Sequence, residues 1–182
     1  MHPKIINIVA VVQLDCRLSL QTLSDRMNNS EYNPRRFSAL TARTNNPRST
    51  ALIFASGKMV INGARTMADM EQAVRVHHCA ICRAGNLACQ VVSVSVCNMV
   101  ASCDVCAPLR LEALQLALGG ADGGADYDTD IFPGLIYRLR DPTVTVMIFS
   151  SGKVNIMGAT SHAVVVAAFE KILPLLLLYR RD

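Results

Sequence analysis

The sequence predicts an α+β fold in which one unit of about 90 residues is written twice, each copy a run of antiparallel strands with helices stacked on one face. Three observations lead there. The segment Ala51-Leu-Ile-Phe-Ala-Ser-Gly-Lys-Met-Val-Ile-Asn-Gly-Ala64 recurs 95 residues later as Val146-Met-Ile-Phe-Ser-Ser-Gly-Lys-Val-Asn-Ile-Met-Gly-Ala159, with eight of 14 positions identical. The same offset pairs Phe37 with Phe132, Arg43 with Arg138 and Pro47 with Pro142, while an offset of 91 pairs Asn7 with Asn98 and Leu18 with Leu109. Finally, the short strands are separated only by turn chemistry, so hairpins rather than crossovers join them. Self-similarity of this kind divides the chain into residues 1–91 and 92–182, two repeats of one intertwined domain. The four residues by which the offset grows fall in the glycine-rich loop Gly119–Asp126.

Each element of the first copy has its own reason. Ile5–Leu14 is continuous and β-branched, hence a strand. Ser19–Met27 spaces Leu20, Leu23 and Met27 three and four apart behind a capping serine, hence a helix. Asn33-Pro34, Asn45-Asn46-Pro47 and Ser56-Gly57 are turn signals that leave strands near 36–44, 48–55 and 58–63. Thr66–Arg83 closes the copy as a helix, stopped by Gly85-Asn86. The second copy repeats this order and ends in a helix over Ser161–Tyr179, with Pro174 expected to kink it.

Helices on one side of a sheet leave its other side to be explained. Ala51, Ile53 and Ala55 fall on one face, but Leu52, Phe54, Val60 and Asn62 fall on the other, which is also largely apolar. An uncovered apolar sheet face is a binding surface.

Composition narrows what that surface binds. Hydrophobic residues make up 51% and charged residues 18%, the balance of a globular chain with a real core. The net charge of +4 is uneven: residues 1–91 carry 11 Lys and Arg against 5 Asp and Glu, residues 92–182 carry 7 against 9. An anionic partner is therefore expected to be gripped more firmly by the first copy. Met1-His2-Pro3-Lys4 leads into a strand without a secretory pattern, and Leu173–Tyr179 is too short and too interrupted to span a bilayer. A soluble intracellular protein is expected, with its seven cysteines reduced.

No catalytic constellation assembles. The histidines His2, His77, His78 and His162 lie at a terminus or on predicted helices, with no nucleophile or carboxylate at a suggestive spacing and no phosphate-binding glycine loop. The chain is expected not to be an enzyme and to need no cofactor. Cys79-x-x-Cys82 and Cys103-x-x-Cys106 stand at the edge of a four-cysteine zinc spacing. Zinc pairs sit on tight turns, however, whereas these fall within a helix and along a strand, so they read as small buried hydrophobes and no metal site is expected.

Tyr32-Asn-Pro-Arg-Arg-Phe37, Ala51-Leu-Ile-Phe-Ala-Ser-Gly-Lys58, Asn98-Met-Val-Ala-Ser-Cys-Asp-Val105, Phe132-Pro-Gly-Leu-Ile-Tyr-Arg138 and Ile148-Phe-Ser-Ser-Gly-Lys153 resemble the conserved core domain of the TATA-binding protein family. The resemblance runs from about Lys4 to Arg180, with the motifs in order in both repeats. It implies a pseudosymmetric saddle: a curved ten-stranded antiparallel sheet whose underside lies along the DNA minor groove, with four helices on the convex back. The family is itself the standard instance of minor-groove binding by apolar wedges, so that mechanism comes with the resemblance.

Residue by residue, the resemblance makes Phe37 and Phe54, then Phe132 and Phe149, the wedges between base steps. Asn7 and Asn98 become the central hydrogen-bonding pair, and Val9, Leu52, Val60, Val100 and Met147 apolar groove contacts. Arg36, Arg43, Arg48, Lys58, Arg65, Arg138 and Lys153 become phosphate partners. The edge at Glu31, Tyr32 and Asn33 is implied to meet a transcription factor IIA-like protein, and Thr129, Asp130 and Ile131 a IIB-like protein among other polymerase initiation factors. A nuclear protein, monomeric on DNA and able to dimerise off it, is implied.

Departures from the family pattern gather on the underside. Asn62 and Met157 stand where threonines are usual, and Asn155 replaces a valine. Thr143 and Thr160 replace basic residues, and the helix over Met67–Arg83 carries His77, His78, Cys79 and Cys82 in place of Lys and Arg. Two readings follow. One is a general initiation factor that binds and bends promoter DNA with relaxed preference for TATA-like sites. The other is a protein-interaction scaffold of the same fold without direct sequence-specific DNA binding.

Overall fold

The computed structural model describes residues 1–119 and 124–181. Of the predicted glycine loop, residues 120–123 lie outside the described residues. The chain divides into two compact units, Asn7–Cys97 and Met1–Ile6 with Asn98–Asp182. The division thus falls inside two strands, and the first six residues belong with the second repeat.

In the N-terminal unit, β1 (Lys4–Leu14), α1 (Leu20–Arg26), β2 (Ser30–Glu31), β3 (Leu40–Asn45), β4 (Arg48–Ile53), β5 (Lys58–Ala64) and α2 (Met67–Gly85) follow in order. Their strands lie side by side as β2-β3-β4-β5-β1. The C-terminal unit repeats this with β6 (Val91–Asp104), α3 (Leu111–Gly119), β7 (Ala125–Asp126), β8 (Gly134–Arg140), β9 (Thr143–Phe149), β10 (Lys153–Ala159) and α4 (His162–Leu178), ordered β6-β10-β9-β8-β7. The described residues therefore hold ten strands and four helices, as the resemblance implies.

Helix starts are chemically marked. Ser19, Thr66 and Ser161 each accept a bond from the backbone N–H three residues on, satisfying donors that no helical carbonyl can reach. The end of α2 is equally defined: Asn86 is left-handed at φ 50°, and Leu87 N–H returns to Cys82 O at 3.0 Å. Pro174 lies within the continuous α4.

Strand alternation separates two faces. In β1, Ile8, Ala10, Val12 and Leu14 are buried while Asn7, Val9, Val11 and Gln13 are half-buried. In β5, Met59 and Ile61 are buried, with Val60 and Asn62 on the other side. The buried rows meet Leu20 and Leu23 of α1 and Met70, Ala73, Val74 and Ile81 of α2, which form the core of this unit. In the C-terminal unit, Val146, Ile148, Val154 and Ile156 meet Leu114 of α3 and Val165, Phe169 and Ile172 of α4.

One predicted strand is shorter than expected. Residues 36–39 do not join β3; instead Arg36 and Phe37 N–H groups both bond back to Asn33 O, at 3.0 and 2.9 Å. Pro34, which has no N–H of its own, starts that turn. Ile131 and Phe132 close the matching turn on Asp128 O at 3.2 and 2.9 Å. Phe37 and Phe132 are therefore turn residues, not strand residues.

Candidate nucleic-acid interface

The half-buried face of each unit gathers the residues singled out from sequence. In the N-terminal unit, Val60 is flanked by Leu52 of β4 and Val11 of β1, and Asn62 by Thr50 and Val9. In the C-terminal unit, Asn155 is flanked by Met147 of β9 and Ser102 of β6, and Met157 pairs with Thr145. Val100 shares this half-buried row of β6. Each unit thus presents an apolar strip interrupted by one asparagine, shifted by one pair between copies.

Aromatic pairs occupy the outer part of each strip. Phe37 and Phe54 have ring centroids 6.4 Å apart with planes at 70°, and Phe132 and Phe149 are 5.8 Å apart at 62°. Edge-to-face contact of this kind holds a ring in place without burying it; Phe37 remains 47% exposed. Close approach in the second pair depends on Gly134, where an added Cβ would lie 2.9 Å from Phe132 Cε1 and 3.0 Å from Phe149 Cε1.

Asn7 and Asn98 are oriented by the same device. Gly63 N–H donates to Asn7 Oδ1 at 2.8 Å, and Gly158 N–H donates to Asn98 Oδ1 at 2.8 Å. A backbone donor fixes which amide atom is oxygen. Both glycines sit in left-handed backbone, at φ 104° and 94°, beside register shifts in the β1–β5 and β6–β10 ladders. The Nδ2 donors have no partner among the described residues. Each unit therefore carries one held amide with two hydrogens free for an acceptor.

Around these strips, Arg36, Arg43, Arg48, Lys58 and Arg65 are exposed in the N-terminal unit, and Arg138 and Lys153 in the C-terminal unit. No carboxylate among the described residues pairs with them. The structure keeps the charge asymmetry: five free cations against two. Glu31 and Asn33 are exposed beside the two-residue strand β2, with Tyr32 half-buried. Thr129, Asp130 and Ile131 project from the turn before β8, where Ile131 is 83% exposed.

The histidines and cysteines divide differently from the sequence reading. His77 is 1% exposed, its Nε2 3.1 Å from Ser49 Oγ, and burial pulls its pKa down to about 4. Cys79 and Cys106 are exposed and Cys103 is buried, its thiol pushed up to about 11 by that burial. Cys82 instead groups with His78, four residues before it on α2, and with Cys89 beyond the helix end, a set that no single sequence spacing spells out. No helix among the described residues is long and apolar enough to cross a membrane.

Comparison with known proteins agrees with this geometry. The family model described as "Transcription factor TFIID (or TATA-binding protein, TBP)" matches residues 2–82 and 93–179. The TATA-box-binding protein of Schizosaccharomyces pombe is 44% identical over 98% of this chain and 76% of its own length. That of Saccharomyces cerevisiae is 42% identical over 98% of this chain and 73% of its own length. Among solved structures, Methanococcus jannaschii TBP superposes with a TM-score of 0.83 at 32% identity, covering 98% of this chain and 99% of that one. The match in both repeats, the identity to these relatives and the shared fold place the chain in the TATA-binding protein family, whose members are transcription initiation factors and not enzymes.

Proposed function

We propose that the half-buried face of each unit lies on the DNA minor groove, with the two phenylalanine pairs wedged between base steps so that the duplex bends. The observation that carries this is the repetition of one device: an edge-to-face phenylalanine pair and a glycine-held asparagine at equivalent positions of both units. Minor-groove edges of A·T pairs offer only the acceptors A N3 and T O2. Asparagine amides held with Nδ2 outward match those acceptors, and the apolar strips suit a groove read by width and deformability.

The bases are positioned through phosphates, which the seven free cations neutralise. Asn62 and Asn155 put polar amides into strips that otherwise favour A·T edges, so the preference for TATA-like sites is relaxed. The chain acts in the nucleus, as a monomer on DNA, and can dimerise through the same face off DNA. The edge at Glu31, Tyr32 and Asn33 receives a factor IIA-like protein. The turn at Thr129, Asp130 and Ile131 receives a IIB-like protein, the bare Ile131 side chain supplying the apolar anchor.

An end-labelled A·T-rich duplex, followed by fluorescence for binding and bending, tests the proposal against a Phe132→Ala/Phe149→Ala double variant. Tight binding with a large bend that the double variant loses is the expected result. Equal, unbent behaviour of both proteins at low salt would overturn it and favour the scaffold reading, in which Asn155 and Met157 mark a groove surface given over to a polypeptide.

A further inference from the structure

His78, Cys82 and Cys89 bring one nitrogen and two sulfur atoms together within 4.8 Å of one another, all inside the N-terminal unit. We infer that these three side chains form a binding site for a thiophilic divalent cation, zinc above all, distinct from the DNA face. The distances have the form of a coordination site. Cys82 Sγ lies 3.4 Å from His78 Nε2 and 3.6 Å from Cys89 Sγ. A tetrahedral ion with bonds of about 2.3 Å to sulfur and about 2.05 Å to nitrogen requires edges of roughly 3.6 Å and 3.8 Å for those two pairs. Closing onto an ion therefore asks for movements of about 0.2 Å at these edges.

The backbone builds the site. His78 and Cys82 are four apart on α2 and so share one face of the helix. The left-handed turn at Asn86 then reverses the chain, and two bonds tie the returning segment to the end of β1: Gln90 N–H to Asp15 Oδ1 at 2.7 Å and Asp15 N–H to Gln90 O at 3.1 Å. Cys89 is thereby held against α2. Three protein ligands leave the fourth tetrahedral position to water.

On binding, the two thiols release their protons to solvent and become thiolates. His78 Nε2–H donates to Cys89 O at 2.9 Å in the metal-free site; binding breaks that bond, the ring proton passes through solvent to Nδ1, and Nε2 presents its lone pair to the ion. The ion then staples the last turn of α2 to the segment leading into β6. A cation is the occupant inferred because it engages the imidazole nitrogen together with both sulfurs, which a Cys82–Cys89 disulfide does not.

The test uses the full chain, reduced, incubated with zinc and desalted, with metal counted by mass spectrometry and cobalt(II) as spectroscopic substitute. The wild type and the exposed-thiol controls Cys79→Ser and Cys106→Ser are expected to retain about one ion per chain and to show the intense visible bands of tetrahedral thiolate-bound cobalt. Cys82→Ser and His78→Gln, both at half-buried positions, are expected to lose at least about tenfold in metal affinity while keeping native circular dichroism. Zinc is expected to raise the thermal midpoint of the wild type by several degrees and to leave Cys82→Ser unmoved. The inference is overturned if reduced wild type retains no metal, if Cys82→Ser and His78→Gln bind as well as wild type, or if the protein isolates as a metal-free Cys82–Cys89 disulfide.

Discussion

Asn98 offers a clean separation of folding from binding, because its two amide atoms do different work. Oδ1 accepts from Gly158 N–H inside the protein, while Nδ2 faces outward. Asn98→Asp keeps the acceptor and so is expected to leave urea-melt stability within about 0.5 kcal/mol of wild type. It removes the outward donor and adds a negative charge, so DNA affinity in fluorescence titrations is expected to fall at least about tenfold, roughly 1.4 kcal/mol. Asn7→Asp should behave alike, since Gly63 N–H holds Asn7 in the same way. His77 makes the opposite kind of prediction, one about stability alone. Its ring is buried and neutral, with Nε2–H donating to Ser49 Oγ and that hydroxyl donating to Pro47 O. Burial lowers its pKa from 6.5 to about 4, so between those values the unfolded chain takes up a proton that the folded chain refuses. Stability is then unaffected above about pH 6.5 and lost as the pH falls, by up to about 3 kcal/mol near pH 4. Urea melts down this range are expected to show a shallower loss for His77→Gln than for wild type.

Within elements, the two phenylalanine pairs invite a comparison the molecule has already begun. Ala39 of the first copy stands where Gly134 stands in the second, and the rings beside it are 6.4 Å apart rather than 5.8 Å. Gly134→Ala is therefore expected to spread Phe132 and Phe149 toward the first pair's spacing and to leave DNA bending intact. Gly134→Leu overfills the same gap and is expected to cost about 1–3 kcal/mol in stability and to reduce bending to the level of Phe149→Ala, both readable by thermal melts and by energy transfer across the duplex. The helices were legible because caps are local chemistry: Ser19, Thr66 and Ser161 announce their helices with no help from the rest of the chain. The start of β3 was not, because Phe37-Ser-Ala-Leu40 alternates like a strand and only the bonds to Asn33 O reveal a turn. The same limit hid the cysteine and histidine cluster, since Cys89 reaches Cys82 through a turn and a tie to Asp15 that no spacing rule contains. The half-buried face was readable because alternation within strands and repetition between copies are both sequence properties, whereas the glycine-held amides needed the register shifts to appear.

For the whole molecule, charge decides how DNA binding responds to salt. On the proposed reading the seven free cations each neutralise a phosphate, and the expected slope of the logarithm of affinity against the logarithm of salt concentration is near −6, at about 0.9 per phosphate. Five of the seven belong to the N-terminal unit, in step with the +6 formal charge of residues 1–91 against −2 for residues 92–182. Thr143 and Thr160, where the family pattern expects basic residues, are both exposed and offer a way to restore the balance. They are not equivalent. Thr143 Oγ1 donates to Arg140 O at 2.8 Å across the β8–β9 turn, so Thr143→Lys gives up a local bond worth about 1 kcal/mol. No such bond holds the Thr160 hydroxyl among the described residues. Thr160→Lys is therefore expected to steepen the slope by about 0.9 and raise affinity at low salt with no loss of thermal stability, while Thr143→Lys makes the same electrostatic gain on a less stable fold. Fluorescence anisotropy across a salt series, paired with thermal melts, reads both quantities. An unchanged slope in both variants would mean that the second copy does not approach the phosphates, and that the DNA is carried by the N-terminal unit alone.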